Sequence, residues 1–118
     1  MQGIVFLGDK KLEIQDFDDP SPGPDDVIIE IKASGMCGSD LKFYRANNGP
    51  SSLGLGGDDK PVIAGHEPCG TIVEIGSNVP KKTFQLDTRV MQHHYEGCGT
   101  CLHCSTGWQQ LCIDGVLS

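Results

Sequence analysis

"CGTCLHCSTGWQQLC", Cys98 to Cys112, holds four of the chain's six cysteines in a C-x2-C-x2-C-x7-C pattern. Sulfurs this close in sequence suit three chemistries: a pair of disulfides, an iron–sulfur cluster or one tetrahedral metal ion. Each C-x2-C step lets a single turn present two sulfurs to one ion, and zinc takes four thiolates at about 2.3 Å in closed structural sites. Gly97, Gly99 and Gly107 permit the tight backbone such a loop needs. A C-x2-C-x2-C run also opens the bacterial ferredoxin pattern, but there the fourth cysteine follows closely and precedes a proline. Here the fourth, Cys112, stands further off and precedes Ile113. Zinc is therefore the favoured occupant, with iron–sulfur and disulfides as the alternatives. His93, His94 and His103 lie nearby in sequence and are expected to be satisfied or solvated imidazoles rather than ligands.

The remaining composition agrees with a small, turn-rich domain. The chain has 118 residues, 37% of them apolar, with 16 glycines and 7 prolines. That much punctuation argues against a helix bundle and for short strands joined by loops, in a core that a bound metal would help to hold. The formal net charge is −7, and no Lys/Arg run exceeds two residues. A nucleic-acid partner and an anionic membrane surface are excluded on that ground. The first residues lack a basic region followed by an apolar stretch, and nothing later approaches a run of about 18 apolar residues. A cytoplasmic location is expected, where stable disulfides are rare.

Period and punctuation place the elements. Alternation in "KLEIQDF" predicts a half-buried strand with Leu12 and Ile14 facing a core. "DPSPGPDD" (Asp19–Asp26) is a turn-rich break, and "VIIEIKASG" (Val27–Gly35) is the strongest strand, with Val27, Ile29 and Ile31 on one face. "GSDLKFYRA" predicts a short helix capped by Ser39 or Asp40. Asn47–Pro61 has no period and is expected to be a long flexible loop; Gly70–Gly76 and Thr88–His94 are expected strands. No G-x-G-x-x-G phosphate loop is present, so nucleotide binding does not follow from these residues.

A second constellation is weaker in each part. "GMCGSD" puts Cys37 at a strand-to-helix turn, and "GHEPCG" puts His66 and Glu67 on another glycine-flanked turn. A lone cysteine is usually a buried apolar residue. A cysteine, a histidine and a glutamate together form a zinc ligand set that leaves a position open for water or substrate.

"GMCGSDL", "PVIAGHEPCGTIVEIG" and "GCGTCLHCSTGWQQLC" together carry a resemblance. The chain resembles the N-terminal, GroES-like domain of zinc-dependent medium-chain alcohol dehydrogenases, a family that includes polyol and threonine dehydrogenases. The blocks occur in the family's order, span nearly the whole chain, and match its four-cysteine lobe at every cysteine. The resemblance implies a mainly β, GroES-like partly open barrel over residues 1–118, with short helices and a structural-zinc lobe at 93–113. It implies that Cys98, Cys101, Cys104 and Cys112 bind the structural zinc. Cys37, His66 and Glu67 would serve the catalytic zinc, with Glu67 either ligating or standing just behind it. Ser39 would relay the alcohol proton, Asp40 would cap or orient, and Cys69 would be a packed thiol.

The function implied is oxidation of a secondary alcohol or polyol, or reduction of a carbonyl, by hydride transfer with NAD or NADP; Ser39 in "CGSD" points slightly to the polyol branch. The dinucleotide-binding Rossmann domain and a further zinc ligand would lie beyond Ser118, so the isolated chain is expected to be inactive and the full-length enzyme to be a homo-oligomer. Two other readings stand beside this one: a non-enzymatic, metal-stabilised module, and an iron–sulfur electron carrier. One departure is local. The family reads Gly-Asp-Arg-Val where this chain has Asp87-Thr88-Arg89-Val90.

Overall fold

The computed structural model describes residues 1–47, 49 and 62–117. Strand β1 (Gln2–Gly8) pairs antiparallel with β2 (Lys11–Asp16). A three-stranded antiparallel sheet follows in the order β3 (Val27–Gly35), β4 (Glu67–Ile75), β5 (Arg89–Met91), with helix α1 (Gly38–Arg45) between β3 and β4. The cysteine segment carries a small ladder of β6 (Tyr95–Glu96) with β7 (Val116–Leu117), enclosing a one-turn helix α2 (Leu102–Ser105) and a 3-10 turn (Gln109–Leu111). The expected mainly β architecture with short helices is present, and the three sheets are not closed into a barrel. No described helix is long and apolar enough to cross a membrane. Most of the expected loop at Asn47–Pro61 lies outside the described residues.

β1, which has no clear period in the sequence, carries much of the core. Val5 and Phe6 are buried, and Phe6 packs its ring 5.7 Å from that of Tyr44 on α1. The β1–β2 turn is tied to the same helix. Asp9 and Lys10 both take positive φ (52° and 64°), and their amides donate to Ala46 and Tyr44 carbonyls at 3.0 and 2.9 Å. Carbonyls at a helix C-terminus lack intrahelical partners, and these bonds satisfy two of them. β1 also meets the segment before β4, through the Val5–Ile63 bridge and an Ala64 amide 2.7 Å from the Ile4 carbonyl.

Three expectations are corrected. Leu12 and Ile14 do not face a core: they are 53% and 62% exposed, because β2 is the outer strand of a two-stranded ladder with no described layer over it. The face expected of Val27, Ile29 and Ile31 is broken by register shifts at Ile28/Ile29 and Ile31/Ala33, which leave Ile31 exposed. The cap of α1 is neither Ser39 nor Asp40 but Cys37, whose sulfur accepts from the Ser39 amide, while Asp40 closes the capping box from the third helical position. At Asp87, where the family reads Gly, φ is +63°, so an aspartate occupies the left-handed conformation that glycine adopts at least cost.

Ile72 of β4 is fully buried at 0% exposure. Ile72→Ala is expected to lower the unfolding free energy by about 2–5 kcal/mol. Leu12→Ala is expected to change it by no more than about 0.5 kcal/mol, as at an exposed position. Urea unfolding of both variants compares the two, and equal losses would contradict this placement of the core.

Candidate metal centres

The β3–β4 ladder ends on the pair Gly35–Glu67. The chain leaves β3 into Cys37 and enters β4 from His66, so antiparallel pairing brings together two residues 29 apart in sequence. Cys37 Sγ stands 3.1 Å from His66 Nε2. Gly65 fits the approach to His66 with φ +90°, and a Cβ there would meet Ser34 Oγ at 2.7 Å. Ser39, in the first turn of α1, puts its hydroxyl 2.9 Å and its amide 3.3 Å from the Cys37 sulfur.

Asp40 holds both sides of this arrangement. It is 1% exposed; Oδ2 accepts from the Cys37 amide at 2.8 Å and Oδ1 faces His66 Nδ1 at 3.3 Å. A carboxylate accepts and does not donate. In the neutral imidazole, Nδ1 therefore carries the hydrogen and Nε2 turns a lone pair towards the thiol, the orientation a metal-binding histidine needs. The hydrogen bond from Ser39 draws the Cys37 thiol below its usual range. Burial opposes the charged form of His66, but the Asp40 carboxylate and the Cys37 sulfur outweigh it and raise the imidazole.

Glu67 is exposed, and its carboxylate lies with the Cys37 and His66 ligand atoms in one group spanning no more than 4.8 Å. It opens onto a cleft of about 560 Å³ lined by Pro68, Cys69, Met91, Gln92, His93 and His94. Cys69, expected as a packed thiol, is half-buried and lines this cleft. His94, expected as a satisfied or solvated imidazole near the cysteine cluster, is not one of that cluster's ligand group. It stands beside His66, with ring centroids 5.4 Å apart, rather than among the Cys98–Cys112 sulfurs. The signal lies in the strand register. Cys69 pairs with Met91, so His94 is as far beyond Met91 as His66 is before Cys69.

The second cluster lies in the lobe. The sulfurs of Cys98, Cys101, Cys104 and Cys112 lie within 4.8 Å of one another, and none of the six cysteines is paired in a disulfide. Amides are aimed at them: Cys98 to Cys112 Sγ (3.3 Å), Cys101 to Cys98 Sγ (3.4 Å), Cys104 to Cys101 Sγ (3.5 Å) and Asp114 to Cys112 Sγ (3.3 Å). Hydrogen bonds from Thr100 draw Cys98 down to about 6, while burial pushes Cys104 up to about 12. Gly97 belongs to the cradle, since a Cβ there would lie 2.6 Å from Cys104 Sγ. His103 is not in this ligand group.

Both donor sets fit zinc. Four thiolates at tetrahedral zinc are spaced by about 3.8 Å, and the Cys101 and Cys112 sulfurs are 3.9 Å apart. Ionising all four sulfurs at such separations requires a cation among them. That set is closed, whereas Cys37, His66 and Glu67 leave a side open to the cleft.

Comparison with known proteins agrees with this geometry. The family model described as "Alcohol dehydrogenase GroES-like domain" matches residues 23–118. A probable zinc-binding alcohol dehydrogenase of Mycobacterium tuberculosis is 37% identical over 118 residues, covering 99% of this chain and 28% of that protein. Sorbitol dehydrogenase of Bacillus subtilis is 35% identical, covering 97% and 31% respectively. The structure of a putative zinc-binding dehydrogenase from Sinorhizobium meliloti bound to NADP superposes with a TM-score of 0.72 at 27% identity, covering 99% of this chain and 31% of that one. The chain belongs to the alcohol dehydrogenase GroES-like domain family. It spans under a third of the length of these relatives.

Two substitutions probe the supports. Asp40→Ala leaves the Cys37 amide and His66 Nδ1 without their acceptor and is expected to cost about 1–3 kcal/mol of stability, with Asp40→Asn costing less because it still accepts from the amide. Gly97→Ala is expected to displace Cys104, seen as large amide shifts across 98–112 in a heteronuclear spectrum and little change in β3 and β4. An Asp40→Ala variant as stable as the parent would contradict the clamp.

Proposed function

We propose that residues 1–118 are the metal-bearing catalytic domain of a zinc-dependent, NAD(P)-linked alcohol dehydrogenase acting on a secondary alcohol or polyol. The observation that carries this is the convergence of Cys37, His66 and Glu67 beside an open cleft, in a chain that also gathers four sulfurs into a closed set. The names of relatives support the same class, among them sorbitol dehydrogenases and an L-idonate 5-dehydrogenase of Vitis vinifera. In the proposed enzyme NAD or NADP is held by a dinucleotide domain elsewhere in a longer protein, as the NADP- and NADH-bound structural neighbours suggest. The enzyme is proposed to be a cytoplasmic homo-oligomer.

Cys98, Cys101, Cys104 and Cys112 would hold the structural zinc, and residues 93–113 form its lobe. Cys37 and His66, with Glu67 as ligand or close neighbour, would hold the catalytic one. Zinc in that seat supplies Lewis acidity, which lowers the pKa of a hydroxyl bound to it. The chain's own residues do the rest. Asp40 fixes the ring of His66 so that Nε2 faces the site, and Cys37 supplies a charged sulfur steadied by the Ser39 and Asp40 amides. Ser39 offers the hydroxyl nearest the ligand sulfur, which can accept the substrate proton and pass its own outward.

Metal analysis tests both seats. After exhaustive dialysis the chain is expected to keep about one zinc, because the four-thiolate seat is complete and binding there supplies folding free energy of order 10 kcal/mol. Cys101→Ser is expected to lose that zinc and unfold the lobe, and His66→Ala to retain it. The chain alone is expected to show no alcohol oxidation with either nicotinamide. Iron in place of zinc, zinc retained by Cys101→Ser, or turnover from these residues alone would each overturn the proposal.

A further inference from the structure

The β1–β2 ladder fixes which backbone groups of β2 face outward. At its open end the N-terminal nitrogen of Met1 donates to the Phe17 carbonyl at 2.7 Å, and the Phe17 amide donates to the Met1 carbonyl at 2.8 Å. In an antiparallel pair such bonded positions alternate with open ones. Gly3–Gln15 and Val5–Glu13 are therefore bonded pairs, whereas Gln2–Asp16, Ile4–Ile14 and Phe6–Leu12 are open. The other edge of β1 agrees, because the Ile4 carbonyl turns away from β2 and accepts from the Ala64 amide at 2.7 Å. On β2, Leu12, Ile14 and Asp16 thus aim their N–H and C=O groups away from β1, and no described backbone group bonds them. Sheet edges are commonly blunted by a proline or a bulge. β2 has no proline, and the register shift of the ladder falls at Phe6–Gly8 in β1. Ile4 and Ile14, opposite each other on one face, are both exposed, as is Leu12.

We infer that β2 pairs antiparallel with the β2 of a second copy of this chain, about a two-fold axis at Ile14, joining two hairpins into one four-stranded sheet. Symmetry and charge select this register. Bonded and open pairs alternate, so a two-fold axis has to pass through a residue that faces its own copy. Centred on Glu13, the pairing sets two carboxylates directly opposite each other, which is destabilising. Centred on Ile14, it forms two hydrogen bonds at the Ile14 pair and two at each pairing of Leu12 with the second copy's Asp16. Glu13 then faces the neutral Gln15, and Ile4–Ile14 becomes an unbroken row of four isoleucines across the sheet. The ends are complementary as well. Lys10 and Lys11 of each hairpin lie beside Asp16 and Asp18 of the other, and all four are exposed. The inference is independent of the metal seats.

The test is sedimentation equilibrium of the chain, with amide exchange followed by NMR. The apparent mass is expected to climb from 12.7 kDa towards twice that value as concentration rises. Over the same range the amides of Leu12, Ile14 and Asp16 are expected to become slow to exchange, while those of Glu13 and Gln15 are slow throughout. Ile14→Pro removes an outward N–H that β1 does not use, a change edge strands tolerate, and is expected to keep the fold and abolish the dimer. Gln15→Lys sets an ammonium opposite Glu13 in this register and is expected to tighten the dimer about two- to tenfold. Thr83→Lys makes the same change of charge on an exposed turn and is expected to leave it unaltered. A mass that stays at that of one chain, a dimer that survives Ile14→Pro, or weakening by Gln15→Lys would each overturn the inference. So would protection of Leu12 and Ile14 that does not depend on concentration, which would assign the edge to another part of the same chain.

Discussion

Everything at the candidate site hangs on the antiparallel pairing of β3 and β4. Its register runs from Val27–Ile75 to Gly35–Glu67, so the two strands release their chains at the same end of the sheet. One chain turns into α1 and presents Cys37, Ser39 and Asp40; the other arrives through Gly65 and presents His66. A slip of one residue would turn each side chain to the opposite face and separate the sulfur from the imidazole. The fully buried Ile72 locks the ladder from within; β5 pairs with β4 as far as Cys69–Met91, and three residues beyond that pair the rings of His66 and His94 stand 5.4 Å apart. Core packing and site geometry are thus one constraint read at two places.

Much of this was legible in the sequence because chemistry-bearing residues stood on glycine-marked turns. The C-x2-C-x2-C-x7-C spacing and the Cys37 and His66–Glu67 blocks named the residues that the fold gathers into two groups. The mainly β class followed from the turn-rich composition and the resemblance. The parts that did not follow depend on what covers what. β1 reads as an unpatterned apolar run, yet it holds Val5 and Phe6 in the core, while the well-patterned β2 leaves Leu12 and Ile14 exposed. Alternation reports that a strand has two faces, not whether another layer covers one of them. His94 was invisible for a related reason: its neighbour is fixed by the strand register, which local sequence does not encode.

The two clusters solve different physical problems. The lobe has one short ladder, one helical turn and a 3-10 turn, so little apolar burial is available to hold it, and Leu102, Trp108, Leu111 and Ile113 are all exposed. Cross-linking four sulfurs through one ion would supply the missing cohesion. The Cys37–His66 seat needs no such help, since the sheet, the capping box and buried Asp40 build it from behind. It can therefore stay open towards the cleft, as a seat for a reacting hydroxyl must.

The most direct test of the account is anomalous diffraction at the zinc edge from crystals of this chain grown with excess zinc. The account predicts two peaks, one among Cys98, Cys101, Cys104 and Cys112, and one within ligand reach of both Cys37 Sγ and His66 Nε2. A single peak at the four cysteines, with Cys37 and His66 still hydrogen-bonded to each other at 3.1 Å under saturating zinc, would contradict it.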